Sequence, residues 1–223
     1  MISYKINDDM TPWSEERMEE ILSLVSQQRR EKALKYSHKS GRQLSLMAYR
    51  LLQDMLAEVY GITEPPIFQL LENGKPVIVG HKDIHFNLSH CRNGVACAVS
   101  DHPIGIDIES IPQQTKDGLA EYVFNDYELQ MLKESPSPTL TFTRLWTMKE
   151  AVVKLSGRGL TGKEQLRPLL QAYHDGCDEW VFHTIENQEK GFVCTIAEEK
   201  RSGDMLPSPP NKPYSGFSTI FLP

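Results

Sequence analysis

The sequence predicts an α+β fold made of two similar α+β halves. Apolar residues with helical spacing fill the first third of the chain, and short strand-like segments follow from about residue 65. The same order of helices and then strands returns after about residue 110. Helices followed by antiparallel strands are typical of the α+β class. We therefore expect an N-terminal half at residues 1–102, a C-terminal half at 103–200 and a Pro-rich tail at 201–223.

The N-terminal third is expected to be helical, with strands after it. Apolar residues recur with helical spacing over 18–25 and again over 44–59, where Gly61 ends the second helix. Asn73-Gly74 then lies between two apolar runs, which predicts a hairpin turn. The predicted strands are short apolar runs bounded by turn residues, at 67–71, 76–79, 84–89 and 94–100.

The second half begins with a strand at 104–109, after a linker near Ser100–Pro103. Helices are predicted at about 115–133 and 141–155, and a closing hairpin over 180–198 turns at Gly191. Five prolines in the last 23 residues predict an extended or mobile tail.

The composition is that of a soluble globular protein. Of 223 residues, 39% are hydrophobic and 24% are charged, and no apolar run reaches the roughly 18 residues that a membrane helix needs. The net charge of −6 disfavours bulk nucleic-acid binding. The first residues do not form a signal-peptide pattern, and four scattered cysteines without metal-like spacing favour reduced thiols. We expect a cytoplasmic protein.

The strand Ile104–Glu109 carries the most informative motif. Strand side chains alternate, so its three isoleucines face one way while Asp107 and Glu109 face the other. Two carboxylates on one face repel each other unless a cation or a proton lies between them. Oxygen ligands of this kind suit Mg²⁺, which completes its shell with waters and substrate phosphates. An isolated pair of this type is more often a solvated strand face, so the motif needs support from others.

A second group of residues shares one face of a predicted helix. Trp146, Glu150 and Lys154 are spaced at i, i+4 and i+8. Glu150 is a candidate third carboxylate for a metal, and Lys154 is a candidate point charge for a phosphate. The alternative is an ordinary ion pair on a solvated helix.

Two further segments have side chains suited to phosphate groups. The run Asn87-Leu88-Ser89-His90 ends a strand, with Asn87 and Ser89 on the same face. The basic segment from Arg29 to Arg42 offers forked and point-charge contacts to phosphate. Both segments also have ordinary structural interpretations, as a turn and as a solvated helix.

Taken in order, these motifs resemble the 4′-phosphopantetheinyl transferases of the larger, surfactin-synthetase-activating type. The resemblance runs from residue 29 to about 160 and is carried by Arg29-Arg30-Glu31-Lys32, Gly74-Lys75-Pro76, Asn87-Leu88-Ser89-His90, Gly105-Ile106-Asp107-Ile108-Glu109, Phe124-x-x-x-Glu128 and Trp146-x-x-Lys149-Glu150-Ala151-x-x-Lys154. Each motif is weak alone, but their shared order and spacing make chance improbable. Ala151 departs from the pattern, because the family usually has Ser at this position.

The resemblance implies two α+β subdomains packed as a pseudo-dimer, in a monomer that binds coenzyme A between its halves. It implies Mg²⁺-dependent transfer of 4′-phosphopantetheine from coenzyme A to a serine of an apo acyl or peptidyl carrier protein, with Mn²⁺ as the other candidate ion. The product released would be adenosine 3′,5′-bisphosphate. Neither nucleic acid nor membrane is implied as a partner.

The resemblance also assigns roles to individual residues. Asp107, Glu109 and Glu150 would hold the metal, and Glu150, Lys154 and Asp107 would be catalytic. The residues expected around coenzyme A form a larger set: Arg29, Lys32, Arg42, Gly74, Lys75, Asn87, Ser89, His90 and Lys154. The segment Tyr122–Leu132, with Phe124, Tyr127 and Leu129, is a candidate apolar surface for the carrier protein, or else an ordinary helix facing the core.

Other functions stay open at this point. A non-catalytic module of the same fold would bind coenzyme A or a carrier without transfer, although its intact carboxylates argue against this. A different Mg²⁺-dependent phosphotransferase would use the same carboxylates and would not prefer coenzyme A over ATP. A DNA-binding helix at 29–50 is a more distant alternative, since its apolar face is needed for packing. The segment Gly157-Arg158-Gly159-Leu160 follows a helix rather than a strand, which excludes a dinucleotide-binding fingerprint.

Overall fold

The structure is a computed structural model that describes residues 1–157, 159, 162–176 and 179–200, and the backbone of 220–222. The predictions for Arg158, Leu160, Cys177 and most of the Pro-rich tail lie outside the described residues. Cys91, Cys97 and Cys194 are buried free thiols. Within the described part of the chain, every helix is too short or too polar to cross a membrane.

Helices and strands follow one another in two blocks. The helices are α1 (Glu15–Ser23), α2 (Gln27–Leu34), α3 (Lys39–Tyr60), α4 (Leu119–Val123), α5 (Asp126–Glu134), α6 (Pro138–Ser156), α7 (Lys163–Leu166) and α8 (Gln171–His174). The strands are β1 (Ile2–Asn7), β2 (Phe68–Leu70), β3 (Pro76–Ile78), β4 (His85–Cys91), β5 (Gly94–Ser100), β6 (Ile104–Ser110), β7 (Trp180–Asn187), β8 (Phe192–Glu199) and β9 (Ile220–Leu222). The strands form antiparallel sheets in the orders β4-β5-β1-β9, β2-β3 and β6-β8-β7. The predicted α+β class is confirmed.

One apolar layer joins the two larger sheets. Side chains of β1 and β5 from the first sheet and of β6 and β8 from the second form a single buried cluster. Ile104, Ile106 and Ile108 belong to it, and each is 0% exposed. Because strand side chains alternate, burying these isoleucines turns Asp107 and Glu109 to the other face of β6, toward α6.

A glycine sets the distance between α6 and β6. A Cβ atom on Gly105 would lie 1.9 Å from the carbonyl oxygen of Ala151 and 2.7 Å from the amide nitrogen of Leu155. Both atoms belong to the backbone of α6, so no side-chain movement can make room. The absence of a side chain at residue 105 therefore lets the helix lie close against the strand, and it brings the motif residues of both elements together.

The expectation of a wholly helical N-terminal third is wrong at its start. Residues Ile2–Asn7 form β1, which lies between β5 and β9 in the first sheet. Ile2, Tyr4 and Ile6 are buried and the alternation was present in the sequence. A six-residue alternation becomes a strand because β5, whose paired residues lie 88 to 98 positions further along the chain, pairs with it along its whole length.

The single helix predicted at 115–133 is in fact two helices. The first helix, α4, ends at Val123, and Asn125 caps α5, because its side chain accepts a hydrogen bond from the Glu128 amide at 2.8 Å. The Glu128 carboxylate accepts a hydrogen bond from the Asn125 amide at 2.9 Å in return. This reciprocal capping box begins a new helix inside the apolar run. The short helices α7 and α8 were not predicted either.

Both predicted hairpins are confirmed. Strands β2 and β3 pair around Asn73-Gly74, and β7 and β8 pair around Gly191. At the far end of the tail, β9 pairs with β1, so residues 220–222 form a sheet strand. The three residues 101–103 connect β5 to β6, at the predicted linker.

Candidate active site

Three polar side chains from different elements meet on the carboxylate face of β6. Lys154 of α6 donates a hydrogen bond to Asp107 Oδ1 at 2.6 Å and another to Ser89 Oγ at 2.8 Å. Ser89, on β4, donates to the same Asp107 oxygen at 2.8 Å. Asp107 is 2% exposed, and its other oxygen, Oδ2, is buried and has no hydrogen-bond partner among the described residues. The described part of the site therefore leaves one buried carboxylate oxygen unsatisfied.

Two more carboxylates lie within electrostatic reach of Asp107. Burial raises the pKa of Glu150 to about 7, and the charges of Asp107 and Glu109 add to this while Lys154 opposes it. Burial, followed by the charge of Asp107, also raises the pKa of Glu109, although a hydrogen bond from Trp146 works in the opposite direction. The predicted helix face of Trp146, Glu150 and Lys154 thus adjoins the carboxylates of β6.

The carboxylate side chains of this site are of the type that binds a divalent cation. An unsatisfied buried carboxylate oxygen is costly, and neighbouring carboxylates that raise the pKa of Glu109 and Glu150 gain from a positive charge between them. Among the described residues, no three His, Cys, Asp or Glu side chains are already grouped as they would be around a bound ion. Instead, the Lys154 ammonium group lies against Asp107. The metal-ligand role of Asp107, Glu109 and Glu150 accordingly stays a prediction.

A cavity of about 520 Å³ lies in the N-terminal half. Four of the residues predicted to contact coenzyme A line it, namely Arg29, Lys32, Gly74 and His90. Burial lowers the pKa of His90, and the charge of Lys154 lowers it further while that of Asp107 raises it. His90 thus places this end of the cavity within electrostatic reach of the carboxylate group.

Arg29 gives the cavity a buried positive charge. The residue is 8% exposed, its guanidinium donates to Ser45 Oγ at 3.2 Å, and its Nε has no partner within the described part of the chain. The guanidinium carbon lies 4.9 Å from the centre of the Tyr49 ring and 5.5 Å from that of Phe68. Desolvation and the nearby charge of Arg29 lower the pKa of Lys32 in the same wall. Two neighbouring cations in one cavity wall suit an anionic group such as phosphate.

Three predicted residues make other contacts instead of lining the cavity. Arg42 donates to the carbonyl oxygen of Tyr36 at 3.5 Å. Lys75 donates to the carbonyl oxygen of Leu155 at 2.9 Å, near the end of α6. Asn87 accepts a hydrogen bond from the Ile106 amide at 3.4 Å, which links β4 to β6. Lys75 and Asn87 thus tie the N-terminal half to the site.

Sequence reasoning missed the aromatic wall of the cavity. Phe68 and Phe86 both line it and are stacked, with ring centres 5.1 Å apart and planes 22° from parallel. Each of the two phenylalanines belongs to a strand. An aromatic residue in a strand has the same sequence pattern whether its side chain faces the core or a ligand, so only the packing of the strands distinguishes the two cases.

The predicted docking segment Tyr122–Leu132 needs a correction. Phe124 is 0% exposed and packs edge-on against Phe142 at 5.1 Å, so it belongs to the core rather than to a surface. Tyr122 and Tyr127 are exposed by 47% and 56%. The helix break at Asn125 turns the two tyrosines outward and Phe124 inward.

Known proteins of one enzyme family are similar to this chain. The sequence model of the 4′-phosphopantetheinyl transferase superfamily matches residues 103–201. A 4′-phosphopantetheinyl transferase of Bacillus subtilis is 36% identical over 153 residues, which cover 67% of this chain and 68% of that protein. The 4′-phosphopantetheinyl transferase Sfp of Bacillus subtilis (strain 168) is 34% identical over the same length, with the same coverage of both chains. The 4′-phosphopantetheinyl transferase gsp of Aneurinibacillus migulanus is 36% identical over 141 residues, or 62% of this chain and 58% of that one.

The fold and the site define a transferase with a carboxylate centre beside a basic cavity. The chain belongs to the 4′-phosphopantetheinyl transferase superfamily. The family and enzyme class that the sequence motifs indicated are thereby confirmed.

Proposed function

We propose that this enzyme transfers 4′-phosphopantetheine from coenzyme A to a serine hydroxyl of an apo acyl or peptidyl carrier protein. The observation that carries the proposal is the contact of Ser89, Asp107 and Lys154. It joins the carboxylates of the C-terminal half to β4, the strand whose His90 lines the basic cavity. A substrate whose 3′-phosphorylated nucleotide is linked through a pyrophosphate to the group that is transferred matches this arrangement.

Coenzyme A would lie between the two halves, in the pseudo-dimer arrangement that we propose for residues 1–102 and 103–200. Arg29 and Lys32 would contact the 3′-phosphate, since they are the adjacent cations of the cavity wall. His90 and Ser89 would lie nearer the pyrophosphate. Binding the non-reacting nucleotide in this way fixes the position of the reacting phosphorus, which is how an enzyme uses remote contacts to lower a barrier.

Asp107, Glu109 and Glu150 would hold Mg²⁺, or Mn²⁺ in its place. When bound, this ion would neutralise charge that gathers on the pyrophosphate. The unsatisfied Oδ2 atom of Asp107 supports the assignment.

The remaining chemistry belongs to residues of the chain. The carrier serine oxygen forms a bond to the β-phosphorus of coenzyme A, and the bond from that phosphorus to the bridging oxygen breaks. Adenosine 3′,5′-bisphosphate leaves with the bridging oxygen. Glu150 would accept the serine proton, directly or through water, and Lys154 would neutralise the developing negative charge.

Intact-mass spectrometry of apo carrier proteins tests the proposal. A panel of acyl and peptidyl carriers would be incubated with the enzyme, coenzyme A and Mg²⁺, with Glu150→Ala and Asp107→Ala beside the wild type. We expect a gain of one phosphopantetheinyl group with the wild type and none with either variant, while circular dichroism shows both variants folded. Coenzyme A binding without transfer to any carrier would favour a non-catalytic module. Full activity of Asp107→Ala would exclude the proposed ligand set.

The monomeric state and the cytoplasmic location stay predictions. A surface of this chain around Tyr122 and Tyr127 that docks the carrier protein also stays a prediction. If the carrier is acidic, contacts at this surface would have to offset the repulsion from the net charge of −6.

A further inference from the structure

A second buried charge cluster lies behind the proposed active site. Its centre is the carboxylate of Glu128, on α5, which is 0% exposed and forms an ion pair with Lys149 of α6 at 2.9 Å. The same carboxylate oxygen accepts the Asn125 amide at 2.9 Å. The other oxygen lies 3.2 Å from Nε2 of His174, at the end of α8. Because a carboxylate only accepts, this contact requires the proton of the imidazole to be on Nε2.

Lys149 is as fully engaged as Glu128. It is 0% exposed, and besides Glu128 it donates to the carbonyl oxygens of Leu166 at 2.6 Å and Arg167 at 3.3 Å. Its ammonium group also lies 5.7 Å from the centre of the Phe124 ring. The cluster therefore ties α6 to α5, to the end of α7 and, through Glu128, to α8.

The position of Lys149 in the chain connects this cluster to catalysis. Lys149 directly precedes Glu150, and neighbouring helix residues point about 100° apart around the axis. The contact of Ala151 with Gly105 and the hydrogen bond from Lys154 to Asp107 hold α6 against β6. The contacts of Lys149 hold the same turn of the helix to α5 and to the end of α7, on a different side of its axis. Together they restrict the rotation of α6 and thus the direction of Glu150.

We propose that Glu128 and His174 are positioning residues of the transfer reaction, which act through Lys149 to orient the turn of α6 that carries Glu150. The inference rests on the proposed role of Glu150. It explains a buried ion pair better than stability does, because apolar residues of similar volume often replace such pairs with no loss of stability. Apolar residues cannot, however, supply the directional hydrogen bonds that the charged pair makes.

The first test separates positioning from stability by removing both charges together. In the double variant Glu128→Gln, Lys149→Met, neither partner is left as an uncompensated buried charge. We expect a urea-unfolding midpoint close to that of the wild type, a kcat at least tenfold lower, and a KM for coenzyme A within twofold. The KM is spared because the proposed nucleotide contacts lie in the other half. A double variant with wild-type kcat would overturn the proposal.

The second test uses His174 and stays informative even if the double variant does not fold. His174→Gln keeps an N–H donor within reach of Glu128, whereas His174→Leu removes it at similar volume. We expect the glutamine variant to retain kcat within about twofold and the leucine variant to lose it three- to tenfold, with an unchanged KM for coenzyme A. Equal kcat in the two variants would overturn the role of His174.

A matched control lies on the same helix. Arg144 and Glu186 form an ion pair whose side chains are 43% and 26% exposed, so Arg144→Met with Glu186→Gln removes a pair from α6 without touching the buried cluster. We expect wild-type kcat. A loss equal to that of the buried double variant would overturn the proposal. A wild-type enzyme that modifies no carrier would overturn the proposed function and this inference with it, whereas an active wild type with unaffected variants would overturn only the inference.

Discussion

Two lysines five residues apart on α6 each bind a buried carboxylate, and the two pairs differ in what they leave unsatisfied. Lys149 and Glu128 are both 0% exposed, and both Glu128 oxygens and the Lys149 ammonium group have protein partners. Lys154 is 27% exposed, and one buried oxygen of its partner Asp107 has no hydrogen bond from any residue that the structure describes. The first pair is closed, and the second is open.

The difference separates a structural ion pair from a binding site. In the closed pair every donor and acceptor is used within the protein, so an additional ligand has nothing to gain there. In the open pair a carboxylate oxygen and a part-exposed ammonium group stay available to the metal ion and the pyrophosphate that we propose bind there. A lysine and a carboxylate thus hold helices together in the closed pair, whereas in the open pair the same residue types are available for the proposed reaction.

Breaking the closed pair should have the largest effect. In Glu128→Ala, Lys149 stays buried without its counter-ion, and we expect a loss of about 3–5 kcal/mol in the free energy of unfolding. Urea denaturation followed by circular dichroism measures it. Glu20→Ala, which removes an exposed partner of Arg17, is the control, with an expected change within about 0.5 kcal/mol. Similar values for both variants would contradict the distinction between the pairs.

Widening the contact between α6 and β6 should disturb both pairs together. Gly105→Ala forces a Cβ atom against the backbone of α6, so we expect a loss of about 3 kcal/mol and of activity. Thermal unfolding and the transfer assay measure the two effects. In Gly41→Ala only the Tyr36 ring has to move, and the change should stay below about 1 kcal/mol. A stable, active Gly105→Ala variant would show that the helix has more room than the structure indicates.

Removing the lysine of the open pair should lower the free energy of unfolding by less. Lys154→Met leaves Asp107 without its cation, but Ser89 still donates to the carboxylate, so we expect a loss of about 1–2 kcal/mol without metal. Added Mg²⁺ should raise the melting temperature of the variant more than that of the wild type, because the charge of Asp107 then has no other cation to offset it. Differential scanning fluorimetry with and without Mg²⁺ measures this. An equal response in both proteins would contradict binding of Mg²⁺ beside Asp107.

The smallest effect concerns a carboxylate paired with histidines instead of lysine. Burial alone would raise the pKa of Glu198, but hydrogen bonds from His183 and His102, together with their charges, lower it. A carboxyl group with a lowered pKa in the folded state stabilises the protein above its unfolded pKa, roughly 4.3, and loses that contribution as the pH falls through the folded value. Glu198→Gln should therefore be about 1 kcal/mol less stable than the wild type near pH 7, and the difference should shrink below about pH 4. Urea denaturation at several pH values measures it; a constant difference would contradict the assignment.

The sequence by itself determined the features that depend on local periodicity. The alternation over 104–109 predicted that the isoleucines are buried and the carboxylates face the other way, which the structure confirms. The spacing of Trp146, Glu150 and Lys154 predicted one helix face, and the order of the motifs was enough to identify the family. These features follow from the repeat of a strand or a helix, which each segment carries in its own residues.

Only the tertiary structure decided which residues meet. It showed that Arg29 lines the cavity while Arg42 and Lys75 turn to backbone carbonyl groups, that β1 is a strand of the first sheet, and that Phe124 is core. It also brought His174 to Glu128, 46 residues away. Contacts of this kind depend on how distant elements pack, and a single sequence holds no local signal for which of several basic, aromatic or acidic side chains that packing will turn inward.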